Sequence, residues 1–352
     1  MLYHKLANVF LGSRRTAIVR GLSDYHRWTN IKTLQQTVDP YTKIQINCAY
    51  ELKIVPYDLL DCPDSNLLKA TVKADGNTDA FELKVSEKLV TITNNPNSKG
   101  VQCILEIPVK ADLEIHNNGN TAVADLYSDE IEIVGTGNID TKNLRSTTVR
   151  LDSTAGNISC RGITLAQQVV ALAAGKGGIF LDKLQGGTVS ATTEAGNITV
   201  NACYSNQSFF QTRLGDMDLK SIHKDCTVTS AGGQNLVMNG FYGTLQANIG
   251  SRHVTLQLSE TVGNSSIQAP SAELLQLNLA ETVYETASIT VKAPKVDLDA
   301  SLDNKVPKRN AAGVTLGKAG TGNTLHVETN GSVTMRKMSW ADSFSFASKM
   351  EH

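Results

Sequence analysis

The sequence is short of proline, of tryptophan and of any surplus of charge. Only 8 prolines and 2 tryptophans occur in 352 residues, and aromatic residues make up 5%. Lys and Arg total 33 against 34 Asp and Glu, a net charge of −1. A nucleic-acid binder carries a basic excess clustered on one face, so nucleic acid is excluded as a partner class. No apolar run approaches the roughly 18 residues that cross a bilayer as a helix, which leaves no transmembrane segment. No C-x-x-C joins any of the six cysteines (Cys48, Cys62, Cys103, Cys160, Cys203 and Cys226), so zinc-ribbon and thioredoxin-like readings have no support. Scattered thiols of this kind suit a reducing compartment. G-x-S-x-G and H-E-x-x-H motifs are missing. The stretch Gly313–Ala319 has the wrong spacing for a phosphate loop, and Ala319 lacks the hydroxyl that would meet magnesium.

What is present is 34 Thr, 26 Asn and 27 Gly, within a chain that is 41% hydrophobic and 19% charged. That is globular composition, weighted toward short strands joined by tight turns. The length allows two domains or one long β-architecture.

The first 30 residues stand apart. They carry Lys5, Arg14, Arg15, Arg20 and Arg27 against the single acid Asp24, and Leu2, Leu6, Val9 and Phe10 recur at helical spacing. One basic and one apolar face is the pattern of a mitochondrial presequence, and mitochondrial import, to the matrix, is the expected destination, with the cytoplasm as the alternative. A secretory signal fits less well, because the apolar stretch Leu6–Gly12 is short and Arg14-Arg15 follows it. In a secreted protein the N-x-S/T triplets at Asn157, Asn197, Asn206, Asn264 and Asn330 would be glycosylation sites.

The middle of the chain repeats. Gly137-Asn138-Ile139-Asp140-Thr141, Gly156-Asn157-Ile158-Ser159-Cys160, Gly177-Gly178-Ile179-Phe180-Leu181, Gly196-Asn197-Ile198-Thr199-Val200 and Gly215-Asp216-Met217-Asp218-Leu219 follow one another at spacings of 19, 21, 19 and 19. Weaker copies follow at Gly233 and Gly250, and an earlier one at Gly119. A period of this size signals a solenoid. Positions two and four after the glycine are apolar or small (Ile139/Thr141, Ile158/Cys160, Ile179/Leu181, Ile198/Val200, Met217/Leu219), and alternation places them inward on a short strand. The intervening Asp140, Ser159, Phe180, Thr199 and Asp218 point outward. Leu151, Leu172, Ala191, Phe210 and Val228, five residues before each glycine, form a second inward column. Stacking coils about 4.8 Å apart pairs these strands in parallel and closes a core. The expected fold is all-β, a single-chain parallel β-helix of about 19 residues per coil over residues 116–335, right-handed by the default of parallel crossovers. The glycine is expected to provide a φ > 0 corner, and Asn138, Asn157, Asn197 and Asp216 to stack as a polar ladder rather than as an ion track.

Residues 31–115 show strand alternation without the repeat, at 68–73, 81–85, 90–93 and 101–109, with turn signals at Asp75-Gly76-Asn77 and Asn94–Asn97. They read as a β-rich N-terminal portion that caps the first exposed edge. Ser288–Val291, Val296–Leu298, Leu325–Val327 and Val333–Met335 read as further strands, Lys305–Asn310 as an exposed basic loop, and 336–352 as a capping tail with Trp340, Phe344 and Phe346 packing on the last coil, a partner-binding tail being the alternative.

The recurring T/S-x-x-G-N-I-x-V unit, preceded by a segment such as Cys103–Val109, resembles the adhesin-like β-helix domain family of unknown function, which is widespread in bacteria and has animal members. The resemblance covers roughly residues 65–300. It implies a single-chain parallel β-helix and offers no catalytic residues to carry over. The basic N-terminus resembles the animal members more than the bacterial surface ones.

No residue stands out as catalytic, cofactor-binding or metal-ligating. His116, His223, His253 and His326 are scattered and unpaired at helical spacing, as surface or turn residues are. Polysaccharide-cleaving β-helices use stacked outward carboxylates, for which Asp140, Asp182, Asp216 and Asp218 are the nearest approach. Asp140 and Asp218 share a strand position four coils apart, about 19 Å, beyond the ~10 Å that glycosidases span. Asp297, Asp299 and Asp303 lack the glycine-bearing loop of a calcium site and read as a solvated edge. The leading functional reading is a non-enzymatic scaffold presenting an extended surface to an unidentified protein partner, without cofactor. The rivals are a β-helix enzyme acting on a glycan or other polymer, and a secreted adhesin.

Overall fold

A computed structural model of the chain describes residues 28–338, apart from 59, 61, 76–80, 95–99, 304–307, 311–312 and 319. The presequence region up to residue 27, most of the capping tail and most of the residues of both N-terminal turn signals lie outside the described residues.

Alternating sequence gives strands almost throughout. The first ten are β1 (Asn30–Thr37), β2 (Lys43–Cys48), β3 (Glu51–Pro56), β4 (Leu67–Ala74), β5 (Phe81–Ser86), β6 (Leu89–Asn94), β7 (Val101–Ile107), β8 (Asp112–Asn117), β9 (Thr121–Ala124) and β10 (Glu130–Gly135). Six long strands follow: β11 (Ile139–Ser153), β12 (Ile158–Ala174), β13 (Ile179–Thr193), β14 (Ile198–Thr212), β15 (Met217–Ser230) and β16 (Asn235–Ile249). Then come β17 (His253–Thr261), β18 (Asn264–Ala269), β19 (Leu274–Leu279), helix α1 (Glu281–Thr286), β20 (Ala287–Lys292), β21 (Lys295–Leu298) and helix α2 (Ala300–Asp303). β22 (Lys308–Asn310), β23 (Gly313–Gly317), β24 (Asn323–Thr329) and β25 (Ser332–Lys337) are the last elements among the described residues.

Each long strand is one coil. β11 pairs in parallel with β12 in three stretches, Ile139–Lys142 on Ile158–Arg161, Leu144–Ser146 on Thr164–Ala166 and Thr148–Ser153 on Val169–Ala174, separated by register shifts. The strand therefore bends twice and supplies three walls, and the turn before Ile158 closes the coil. The same pairing carries upward through Ile158↔Ile179, Ile179↔Ile198, Ile198↔Met217 and Met217↔Leu236. The result is an all-β solenoid with one continuous apolar core.

Both inward columns expected from the sequence are buried, from Ile139 to Leu219 on the first wall and from Leu151 to Val228 on the third. The middle wall adds a column that the sequence pattern did not reveal: Leu144, Thr164, Leu184, Cys203, Ile222 and Phe241, all buried. It is only a few residues wide, and the flanking bends break the alternation that would have exposed it.

Except at the weaker copy Gly233, which does take a positive φ of 105°, the repeat glycines serve a purpose other than a φ > 0 corner. At Gly177 and Gly215 an added Cβ would collide with the carbonyl oxygens of Gly156 and Gly196 on the coil below. Their φ angles lie outside the left-handed region, which is occupied instead at the next bend by Asn143 (φ 51°), Gly162 (φ 66°) and Ser221 (φ 49°). Close backbone approach selects glycine at the turn. Gly119 belongs to the same stack, beneath Gly137, whereas Gly250 sits above Ala231 in a different column.

The stack does not follow chain order at its ends. β2–β3 lies between the coil of β6–β7 and that of β8–β9, pairing in parallel with both. At the far end β24–β25 lies between β18–β19 and β20–β21. Antiparallel strands close the walls: β4 on β7 with β1 outside it, and β5 on β6. β23 lies antiparallel on β20, with β22 outside it. Lys308, Arg309 and Asn310, expected in an exposed basic loop, form β22. The boundary expected at residues 115/116 falls within β8, and strands from both sides of it share one stack.

Ile198→Asp buries a carboxylate in a core with no partner for it, at a cost of several kcal/mol. Its neighbour Thr199 is only half-buried and points outward. Thermal denaturation is expected to show Ile198→Asp largely unfolded at 25 °C and Thr199→Asp close to wild type. Equal tolerance at the two positions would overturn the inward and outward assignment.

Candidate functional site

Two columns that could be taken for ligand tracks are consumed by the stack. The Asn157 N–H donates to Asn138 Oδ1 at 2.8 Å, the Gly178 N–H to Asn157 Oδ1 at 2.8 Å and the Asp216 N–H to Asn197 Oδ1 at 2.9 Å. The polar ladder is thus a set of rungs from side chain to the backbone of the next coil. The hydroxyl three residues before Gly156, Gly196 and Gly215, supplied by Ser153, Thr193 and Thr212, forms a second ladder, which Ala174 interrupts before Gly177. Buried Thr193 donates to Gly177 O at 2.9 Å and accepts from the Gly196 N–H at 3.1 Å, and Thr212 repeats this with Gly196 O at 3.2 Å and the Gly215 N–H at 3.0 Å. The T/S-x-x-G-N unit therefore satisfies turn groups that burial would otherwise orphan.

Three of the four carboxylates are engaged in the same way, and the fourth, Asp140, stands apart from them. Asp216 accepts from the Gln234 and Asn235 N–H groups at 2.8 and 3.0 Å and from Asn235 Nδ2 at 3.1 Å. Burial pushes its pKa upward, but these hydrogen bonds outweigh it and hold the carboxyl below its ordinary value. Asp182 accepts from the Gly162 N–H at 3.0 Å and from Asn201 Nδ2 at 3.2 Å. Asp218 pairs with Lys220 at 3.1 Å. Asp140 is four coils from Asp218 through Ser159, Phe180 and Thr199, so no two of this column reach one bond. Asp299 accepts from the Ser301 N–H and Oγ, both at 2.8 Å. His116 lies 3.8 Å from Glu114 and His326 3.4 Å from Glu328. Burial raises the thiols of Cys48, Cys103 and Cys226 to about 12, which keeps them protonated and unreactive.

The feature that the stack does not consume lies on the outer side of the middle wall. Tyr204, His223 and Tyr242 occupy one register position on three successive coils. Their rings stack at centroid distances of 4.6 and 4.7 Å, with the His223 and Tyr242 planes 6° apart. These spacings are the strand spacing itself. Lys183, one coil earlier, holds its Nζ 5.7 Å from the Tyr204 ring centroid. Alongside runs a groove of about 680 Å³ that also takes in Asn206, Lys224, Asp225, Thr244, Glu260 and Val262. Lys224 Nζ donates to Asn206 Oδ1 at 2.6 Å. Burial between the tyrosines holds the His223 imidazole below its ordinary pKa of 6.5. The sequence reading placed His223 among unremarkable surface histidines. The signal that would have singled it out is the period: Tyr204, His223 and Tyr242 are 19 apart, like the glycines.

With the fold and this row in view, the comparison with known proteins is direct. The profile of the Toastrack DUF4097 family matches residues 63–336, and the chain belongs to that family. Among solved structures it is similar to a "putative adhesin" from Bacteroides fragilis NCTC 9343, at 17% identity over 62% of this chain and 98% of that one, with a TM-score of 0.43. A "putative adhesin" from Parabacteroides merdae ATCC 43184 is 9% identical over 88% of this chain and 97% of that one, with a TM-score of 0.41. A "putative lipid binding protein" from Parabacteroides distasonis ATCC 8503 is 12% identical over 88% and 97%, with a TM-score of 0.24. Among the described residues no helix is long and apolar enough to cross a membrane.

The lowered pKa of His223 sets the sign of a pH effect. The unfolded chain takes up a proton near pH 6.5, and the folded chain only at lower pH. Stability is therefore complete above about 6.5 and falls as pH drops from there toward the folded value. Comparing melting temperatures at pH 7 and pH 5 should show a smaller loss for His223→Gln than for wild type. An identical loss would mean that His223 is freely solvated.

Proposed function

We propose that the protein is a non-enzymatic binding scaffold of the mitochondrial matrix, which presents the outer side of its middle wall to a protein partner. The observation that carries this reading is the exposed Tyr204–His223–Tyr242 row. Tyr204 and Tyr242 keep 44% and 38% of their surface exposed, on a wall whose backbone is locked on both sides by coil pairing. Large aromatic surface held rigid and left open to solvent is the material of interface anchors. The coil of about 19 residues, wound right-handed in the usual sense of parallel crossovers, makes that surface straight and extended. The terminal portions are read as caps on the two ends of this stack.

The non-enzymatic part rests on the carboxylates, each of which is tied to backbone, an amide or a lysine, or is isolated from a second acid. A glycan-binding platform would use open ring faces; here the interior faces of the row cover one another. The basic and apolar faces of residues 1–30 support mitochondrial import, and six free thiols suit a reducing interior better than a secreted adhesin.

A photo-crosslinking residue placed at exposed Gln207, beside the row, is expected to form a discrete adduct in cells. Tyr204→Ala/Tyr242→Ala should abolish the adduct while protein abundance is unchanged, and a probe at Lys292 on the far end should not form it. An adduct indifferent to the tyrosines would overturn the assignment of the surface.

Residues 1–30 alone are expected to carry a fluorescent reporter into mitochondria, and replacing Arg14, Arg15 and Arg20 by Glu should leave it in the cytosol. A wild-type fusion that stays cytosolic or is secreted would overturn the compartment.

A further inference from the structure

The ring row has two ends that differ in charge. At the Tyr204 end the chain supplies its own cation, Lys183, 5.7 Å from the ring centroid, where an electron-rich face attracts positive charge. At the other end Tyr242 is covered by His223 on one face, and its far face looks along the stack to the next coil. The register partner there is Glu260. A carboxylate can neither stack on that face nor be attracted by it, since the face of a π system repels negative charge. Glu260 and Asp225 both line the groove and are exposed, and neither side chain has a hydrogen-bond or ion-pair partner among the described residues. Lys224, the cation among the lining residues, is turned onto Asn206 at 2.6 Å. Gly243 contributes no side chain at this point in the groove. The arrangement at the outer face of Tyr242 is an aromatic face met one coil on by an exposed carboxylate, Glu260, while Asp225 lines the same groove two coils earlier, on the His223 coil.

We propose that this end of the groove binds the ammonium or guanidinium group of a lysine or arginine on an extended segment of a protein partner. The cation would rest on the Tyr242 face, as Lys183 rests on Tyr204, with Glu260 neutralising it and Asp225 adding negative charge farther along the groove. The groove spans the coils from Tyr204 to Glu260, three strand spacings or about 14 Å, the length of roughly four residues of extended chain. That length favours a basic peptide over a small amine. The inference rests on the reading of the row as a partner surface and names the chemistry of that partner.

The test is the binding of a fluorescently labelled deca-lysine peptide to the full chain, followed by anisotropy at low salt, with deca-glutamate as the control. Wild type is expected to bind deca-lysine and not deca-glutamate. Glu260→Gln/Asp225→Asn should weaken binding by roughly five- to tenfold, and Tyr242→Ala by a similar factor, from the typical strength of a partly exposed cation–π contact and ion pair. Tyr242→Phe keeps the ring face and should bind like wild type, as should Lys183→Gln at the opposite end. Melting temperatures of all variants exclude unfolding as the cause. Unchanged affinity in the double carboxylate variant, or in Tyr242→Ala, would overturn the proposal. So would displacement of the peptide by spermine at equal amine concentration, which would assign the site to a free polyamine. If deca-lysine fails to bind while the Gln207 adduct still depends on Tyr204 and Tyr242, the cation site falls and the partner surface stands. If both fail, the surface itself falls.

Discussion

Everything in this molecule follows from one constraint: each coil must lay its backbone on the coil below at strand spacing, in register, along all three walls. A strand of a few residues per wall has little to hold it alone. Its N–H and C=O groups are satisfied only by the coils on either side, and its inward side chains reach a dry interior only when those coils cover them. The repeat unit can be read as the set of side chains that let two such backbones meet at a turn. Glycine removes the Cβ that would strike the carbonyl below. The hydroxyl three residues earlier closes the turn while bonding to the coil beneath. The asparagine reaches from its own coil to the N–H of the next. Where the column holds Gly178 instead of Asn, that rung to the next coil is missing, yet Ile179 and Ile198 remain in register, so the walls rather than the rungs dominate the pairing.

A solenoid has two ends, and here both are tied back into the chain. The coil of β2–β3 is inserted beneath β8–β9 from far earlier in the sequence, and β24–β25 sits beneath β20–β21 although it follows them. Ser265 and Leu325 are register partners 60 residues apart. Nearest-neighbour stacks normally fray from their terminal repeats. Here the terminal coil cannot peel away in sequence order, because a distant segment is paired on its inner side. The outermost β1 and β22 run antiparallel to their neighbours, which ends the parallel register that another coil would extend.

The first and third walls were legible because a strictly alternating pattern recurs at the period of the coil, so Ile158 and Ile198 declare both their face and their place in the stack. The middle wall was not, because bends at Asn143 and Gly162 shift the alternation just where Leu144 and Thr164 turn inward. The role of the repeat glycines was misread as conformational for a related reason. Glycine signals permissive φ and close approach with the same letter, and only the stacked neighbour distinguishes them. The out-of-order ends were invisible, since pairing order between non-repeating strands leaves no periodic trace. The aromatic row was written in the sequence at spacing 19, but it lies at a position outside the conspicuous glycine-centred unit.

That row shows how the stack converts period into chemistry. Register fixes the distance between equivalent outward side chains at the strand spacing, which is close to the distance at which aromatic rings pack face to face. Placing Tyr, His and Tyr at one position of three consecutive repeats therefore builds a rigid ring column with no further requirement on the loops or the core. The faces inside the column are satisfied by one another, so its chemical character is decided at the ends, by whatever stands one coil before and one coil after. Lys183 precedes and Glu260 follows. The same ring column is thereby closed by charge of the right sign at one end and left open at the other, and the difference between a structural ornament and a binding site is carried by a single register position.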